Sequence, residues 1–458
     1  MVSKIIHVKE LIKKKIFSDS PTQKYEKELK KGDNIFKYIT QNGFGKIVNV
    51  SPSKIKRIGI VLPHMNVGSG GITSVLRIGT YLSEKYEVVF TTYSKVPIEV
   101  FKKNAHQNLK EYQGSNISWD EFRSEKFDVI IATNWQSVYF TRNLPGYKVY
   151  FVQDFEPYFY AHGDFYFLAL QTYKMGYHII SLGEWNAQQI EKECNVKNID
   201  YINFPYEPTE YTLKARDYLA YKNKTSFDIA VYLKDNSKRL PLITQSALIN
   251  IKKLFRERNN IELKFHIFGY SKEIPLVIGE NEGILNKREI NQLYHKCDFG
   301  IVSSVTNISL VPFEMIATGL PLIEFKNGTY SSFFPEGTAI LTNFESEDLY
   351  HQLLTCIQTP SLLLQMTRKA YNHIQNRNWS KTGRQFLNII NNLEKEKADL
   401  LGEIMALKQE LRNFKLSMDI ARSSVDNSEV TNVDIMRRLS QLEKMVYGLK
   451  SSGLKDDN

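Results

Sequence analysis

Ser303–Pro321 reads SSVTNISLVPFEMIATGLP. It continues a short apolar run, FGIVSSV (299–305), that ends in small polar residues. A helix is expected over PFEMIATG (312–319), with Glu314 in its first turn, Gly319 closing it and Pro321 opening the next strand, PLIEF (321–325). A strand, a polar loop and a helix in that order form the unit of a parallel sheet covered on both faces, where ligands sit at the carboxyl ends of the strands. The loop chemistry suits a phosphate. Ser304, Thr306, Asn307 and Ser309, with the backbone entering the helix at Leu310, offer hydroxyl, amide and N–H donors. A carboxylate at Glu314 can hold the two hydroxyls of a ribose by paired hydrogen bonds. A lone Glu near a helix start is commonly a favourable end charge and nothing more; the complete string is a rarer coincidence.

Outward from this stretch the same alternation recurs. FDIAVYLK (227–234), IELKFHIFG (261–269) and TAILTNF (338–344) read as strands, with helices over PLITQSALINIKKLFRER and REINQLYHKC (288–297) between them. An earlier block repeats the pattern: RIGIVLPHM (57–65), YEVVFTTY (86–93), FDVIIATNW (127–135), YKVYFVQDF (147–155) and YHIISLGEW (177–185) read as strands, and ITSVLRIGTYLSEK (72–85), QSVYFTRNL, FYFLALQTYKM and NAQQIEKEC as helices. The expected division is a basic extension at 1–56, a first Rossmann-like domain at 57–208, a polar linker at 209–226, a second Rossmann-like domain at 227–385 and a helical tail at 386–458. Two such domains in sequence imply a cleft between them.

Three further constellations face that cleft if the strand assignments hold. NVGSGGIT (66–73) joins the first strand to its helix, and Gly70 and Gly71 let backbone approach a ligand closely; a tight turn without a ligand fits the same letters. VQDFEPY (152–158) ends a strand in two acids. Asp154 is the candidate catalytic carboxylate, and Glu156 a candidate acceptor contact or a cap for the next helix. KDNSKR (234–239) puts Lys234, Lys238 and Arg239 in the loop after the first strand of the second domain, where a diphosphate needs positive charge. A solvated basic loop is the alternative on so basic a chain.

The chain has 458 residues, 42% hydrophobic and 24% charged, with a net charge of +10. That composition is globular. The basic balance suits nucleic acid, anionic lipid or phosphorylated substrates, but no zinc-finger, RNP-like or helix-turn-helix pattern supports nucleic acid. Three scattered cysteines, Cys194, Cys297 and Cys356, form no CxxC. No metal site is expected, because DxD and HExxH spacings are absent, as are GxSxG and the P-loop. Without a signal-peptide pattern or a long apolar run, a cytoplasmic protein is expected. At the N-terminus Ile5, Val8, Ile12 and Ile16 recur at helical spacing among lysines. This amphipathic stretch packs on the body or lies on an anionic membrane. In the tail, Leu393, Leu400, Leu407 and Phe414 alternate with Lys397, Ile404, Leu411 and Met418, and Ile435, Leu439, Leu442, Val446 and Leu449 resume the pattern. The spacing suits a coiled-coil seam, with homo-oligomerisation expected, and a helix laid against the globular body is the alternative.

The string around Glu314, with the basic cluster at 234–239 and the glycine turn, resembles the donor site of GT-B glycosyltransferases of family 4. YFVQDFEPYFY, SLGEW and SVTNISLVPFEMIATGLP look more specifically like bacterial rhamnosyltransferases of rhamnan and S-layer-glycan synthesis. The likeness covers roughly residues 57–385. It implies the GT-B fold and a metal-independent transfer without a cofactor. The implied donor is dTDP-β-L-rhamnose, its ribose on Glu314 and its pyrophosphate on Lys234, Lys238 and Arg239, and the expected acceptor is a lipid-linked cell-surface glycan at the inner face of the membrane. One departure stands out: the family usually places a second Glu eight residues before the ribose-binding one, and here that position is Thr306. Rival readings are a GT-B enzyme for a UDP- or GDP-sugar and a non-catalytic coiled-coil scaffold.

Overall fold

The computed structural model describes residues 35–424 except 198, 235–236 and 272–275, together with 437 and 440; side chains are described to 395 (237 excepted) and at intervals to 415. The basic N-terminal stretch and the second heptad run lie outside the described residues.

Two parallel sheets make the body. The first has seven strands: β1 (Arg57–Leu62), β2 (Glu87–Thr92), β3 (Ser115–Asn116), β4 (Val129–Ala132), β5 (Tyr147–Val152), β6 (His178–Leu182) and β7 (Asp200–Ile202), in the order β3-β2-β1-β4-β5-β6-β7. The second has six: β8 (Ser226–Tyr232), β9 (Glu262–Phe268), β10 (Glu280–Gly283), β11 (Phe299–Val302), β12 (Leu322–Phe325) and β13 (Ile340–Thr342), in the order β10-β9-β8-β11-β12-β13. Every pairing is parallel. In each sheet the order reverses beside the first strand, which opens a crevice at the carboxyl ends. The central strands β4, β5 and β11 are buried at every position, as strands covered on both faces must be.

The strands expected from apolar runs are present but shorter, because the polar residues at each run's end belong to loops. Two strands gave no apolar signal: β3 is two residues long and β10 reads ENEG. The stretch 209–226 is not a free linker. Arg216 donates to the carbonyls of Cys297 (2.5 Å) and Tyr294 (2.6 Å), and Tyr218 and Tyr221 sit in the core of the second domain.

The helix that follows the second domain is Trp379–Ser424, 46 residues long. It crosses the expected boundary at 386 without a break. Its first part packs back on the first domain: Phe386 meets the Phe151 ring at 5.3 Å, and Thr382 Oγ1 donates to the Asn203 carbonyl at 2.9 Å. One buried cluster runs through both domains, with Phe204 stacked on Phe313 at 5.7 Å.

Candidate active site

The loops beyond the carboxyl ends of β5 and β11 meet each other. The Asn307 side chain donates to the carbonyls of Gln153 (2.7 Å) and Leu182 (2.9 Å), and the Phe155 N–H donates to the Thr306 carbonyl at 3.0 Å. Thr306 Oγ1 donates to Asp154 Oδ1 at 2.8 Å, and Lys238 Nζ donates to Asp154 Oδ2 at 3.3 Å. Asp154, Thr306 and Lys238 are therefore neighbours although up to 152 residues apart, with Asn307 beside them. Lys238 also lies over the Phe159 ring at 4.9 Å. Asp154 gathers two donors, one from the loop Ser303–Leu310 and one from the basic cluster.

The basic cluster divides. Arg239 is 2% exposed and donates to the carbonyls of Ser303 (3.1 Å) and Asn307 (3.4 Å), so it braces the loop from beneath. Lys234 lies over the Tyr232 ring at 5.7 Å; burial first, then Lys238 and Arg239, lower its pKa. Lys238 is the cation of the three that reaches the first domain.

The loop Ser303–Leu310 likewise divides. Ser304 is fully buried and gives both its N–H (3.2 Å) and its hydroxyl (2.6 Å) to Glu324, so its expected phosphate contact is replaced by a scaffold role. Burial raises Glu324 to about 7, opposed by those hydrogen bonds. Asn307 spends its amide on the first domain. Ser309 caps the helix Leu310–Ala317 by position but not by its side chain, whose buried hydroxyl has no partner among the described residues. That hydroxyl and the N–H groups at Leu310 point the loop's remaining hydrogen-bonding capacity toward the helix start.

Glu314 sits one turn into this helix rather than in its first turn, because the helix begins two residues earlier than the sequence suggests. Tyr294 Oη donates to Glu314 Oε2 at 3.4 Å, and Tyr211 also hydrogen-bonds it. Burial pushes its carboxyl up to about 7 against the pull of the tyrosines. Beside it runs a chain of charges: Arg77 pairs with Glu207 (3.3 Å) and Glu210 (2.6 Å), and Lys287 pairs with Glu210. The chain joins the helix Gly70–Leu82 of the first domain to the helix Lys287–Lys296 of the second.

Glu156 does not face the cleft. Its carboxylate accepts from the Trp135 N–H at 2.7 Å and from the Tyr150 hydroxyl, and burial raises it to about 8. The acid supports the start of the helix Trp135–Thr141, so the expected acceptor contact is corrected to a structural one. Gly70 and Gly71 lie in the first turn of the helix Gly70–Leu82, not in a loop, and neither has a positive φ. A side chain at Gly70 would meet nothing within 4 Å, so its backbone is open to a ligand. The glycine that geometry demands is Gly68, at φ 73°, where a Cβ would lie 2.6 Å from Ile284 of the second domain.

Gln153, Phe155, Tyr211, Tyr294 and Glu324 were missed from sequence. Tyr211 lay within the supposed linker, and Tyr294 looks like one more apolar residue of an amphipathic helix. Their roles come from long-range packing and have no local spacing. Gln153 flanks Asp154 and donates to the Gly71 carbonyl at 3.2 Å, so its adjacency to the acids was the one available signal.

Among the described residues, His266, Glu280 and Glu282 bring ligand atoms within 4.8 Å of one another. The imidazole is already engaged by Glu282 (2.8 Å) and Asp228 (2.7 Å). No described helix is long and apolar enough to cross a membrane.

Residues 249–388 match the family model described as glycosyl transferase-like. No curated protein matches the chain by sequence. Among solved structures, Anabaena Alr3699/HepE, in complex with UDP-glucose, is 13% identical with a TM-score of 0.58 over 73% of this chain and 99% of its own. Sucrose-phosphate synthase from Thermosynechococcus elongatus is 12% identical, TM-score 0.54, over 74% and 99%. A glycosyltransferase from Rickettsia africae is 14% identical, TM-score 0.53, over 74% and 99%. The chain thus carries a glycosyl transferase-like domain within the two-domain fold of GT-B glycosyltransferases.

Proposed function

We propose that the chain transfers a sugar from a nucleoside diphosphate donor to a glycan acceptor, without a metal ion, and that the donor is dTDP-β-L-rhamnose. The observation that carries the reading is the meeting of Asp154, Thr306 and Lys238 across the domain boundary, on the loop that leads into the helix carrying Glu314. In this reading Glu314 accepts from the ribose hydroxyls, with Tyr211 and Tyr294 fixing its orientation. The pyrophosphate lies against the start of the helix Leu310–Ala317, with Ser309, Gly70 and Gly71 alongside and Lys238 exchanging Asp154 for phosphate oxygens. Positive charge there offsets the charge that builds on the leaving diphosphate as the glycosidic bond breaks. Asp154, released from Lys238, meets the acceptor hydroxyl or the donor sugar.

Thr306 stands where the wider family has a carboxylate, and its hydroxyl donates to Asp154 Oδ1 at 2.8 Å, so the first domain supplies the negative charge at that corner. The resemblance of YFVQDFEPYFY and SLGEW to rhamnosyltransferases supports the proposed donor. The acceptor in this reading is a lipid-linked cell-surface glycan, which puts the enzyme in the cytoplasm at the inner face of the membrane. A UDP-sugar is the second reading, favoured by the UDP-glucose bound to the Anabaena neighbour.

A thermal-shift panel of dTDP, UDP, GDP and their sugars separates the two. The proposal expects the largest stabilisation from dTDP-rhamnose, lost in Glu314→Ala. A larger shift with UDP-glucose would transfer the assignment to the second reading.

A further inference from the structure

Glu324 stands in β12, an otherwise apolar strand with neighbours on both edges. It pairs beside Val302, the last residue of β11, and is fully buried. Burial raises its carboxyl to about 7, opposed by hydrogen bonds from Ser304 and Phe325 and by the charge of Arg239. An apolar side chain like those of Leu322 and Ile323 would suit the strand better, because a carboxyl is costly to bury even when it is hydrogen-bonded. What the carboxyl does there is hold the loop that leaves β11.

The carbonyls of that loop are spent on the protein. Arg239 donates to those of Ser303 (3.1 Å) and Asn307 (3.4 Å). The Thr329 N–H donates to that of Ser304 at 2.8 Å, and a Cβ at Gly328 would lie 2.1 Å from the same oxygen. The Phe155 N–H donates to that of Thr306 at 3.0 Å. The N–H groups are placed differently. Among the described residues, those of Val305, Thr306 and Asn307 have no acceptor. A run of backbone N–H groups whose carbonyls are held elsewhere is a seat for an anion.

One peptide fixes the start of this run. The Ser303 carbonyl and the Ser304 N–H belong to the same peptide unit. Arg239 holds its oxygen, and Glu324 Oε2 accepts from its N–H at 3.2 Å. Glu324 Oε1 also accepts from the Ser304 hydroxyl at 2.6 Å. Opposite charges thus grip the two ends of one peptide, and hydrogen bonds to charged groups are the strong ones. Without Glu324 the N–H end is released and the peptide can turn about its bond to Arg239.

We propose that Glu324 is a positioning residue for diphosphate binding. It touches no ligand; its grip on Ser304 keeps Val305–Asn307 in the shape whose N–H groups receive phosphate oxygens. The proposal rests on the donor reading above and adds to it the residue that keeps the seat in form.

The test compares ligands with and without phosphates. Titration calorimetry with dTDP and UDP, and ligand-observed NMR with thymidine and uridine, give the ratio of nucleoside to nucleoside diphosphate dissociation constants. Lower overall stability in a variant that stays folded does not move that ratio. In Glu324→Ala it should fall by about tenfold or more, with the nucleoside constant changed by less than about twofold. Glu324→Gln should keep the ratio within about threefold of the parent's, because its amide oxygen can accept from the Ser304 and Phe325 N–H groups that Oε2 serves, and the Ser304 hydroxyl can accept from its amide nitrogen. If circular dichroism shows Glu324→Ala unfolded, Ser304→Ala carries the test, with a fall of about threefold or more expected. The parent's ratio in the alanine variant would overturn the proposal, as would a Glu324→Gln variant that falls as far as Glu324→Ala. A parent that binds neither diphosphate would overturn the donor reading and this proposal with it, whereas a binding parent matched by its alanine variant overturns this proposal alone.

Discussion

A carboxyl group crowded by protein holds its proton more tightly than in water, and Glu314 and Glu156 both do so. Their surroundings give them different work. Glu314 is raised to about 7, and in the proposed donor site it must be ionised to accept from two ribose hydroxyls. Nucleotide affinity should therefore rise roughly tenfold between pH 6 and pH 8 beyond any rise in Glu314→Gln. Titration calorimetry of both proteins across that range checks it, and parallel pH profiles would remove Glu314 from the site. Glu156, raised to about 8, is scaffold. The unfolded chain releases this proton near its ordinary value while the folded chain keeps it, so stability falls as pH climbs from about 4.5 to about 8. Glu156→Gln should match the parent near pH 4.5 and exceed its stability by about 1–3 kcal/mol at pH 8, read from urea midpoints. The placement of Glu314 on a helix after a strand and a polar loop was legible because those elements are contiguous. The use of Glu156 was not, because its partners Trp135 and Tyr150 come from other elements.

At the scale of elements, short apolar runs marked the central strands well, since β4, β5 and β11 are buried on both faces and have no polar alternation to disguise them. Edge strands β3 and β10 escaped because edge pairing is made by backbone and asks little of side chains. The glycine turn was found, but the need for glycine falls at Gly68, set by Ile284 from the other domain. Gly402 lies on the exposed side of the long helix, where a Cβ would meet nothing within 4 Å. Gly402→Ala should accordingly stabilise the helix Trp379–Ser424 by about 1 kcal/mol, seen as helical signal retained to higher temperature. A loss of helix in that variant would mean that the glycine meets a close neighbour.

At the scale of the whole molecule, two domains are held by a shared apolar cluster, by Asn307 and Thr306 reaching across, and by Arg77, Glu210 and Lys287 in series. The alternation of strands and helices made the two-domain plan legible, but the charge chain depends on residues near 77, 210 and 287 meeting only in the folded state. Glu210→Ala leaves two cations facing each other and should cost about 1–3 kcal/mol in urea unfolding. It should also weaken nucleotide binding through Tyr211. The measurement that tests the account most directly is release of nucleoside diphosphate from a panel of nucleotide sugars incubated with the full chain and a glycan acceptor. The account predicts release from one donor class, lost in Glu314→Ala and reduced in Lys238→Ala. Release that is unchanged in both variants, or absent for every donor, would contradict it.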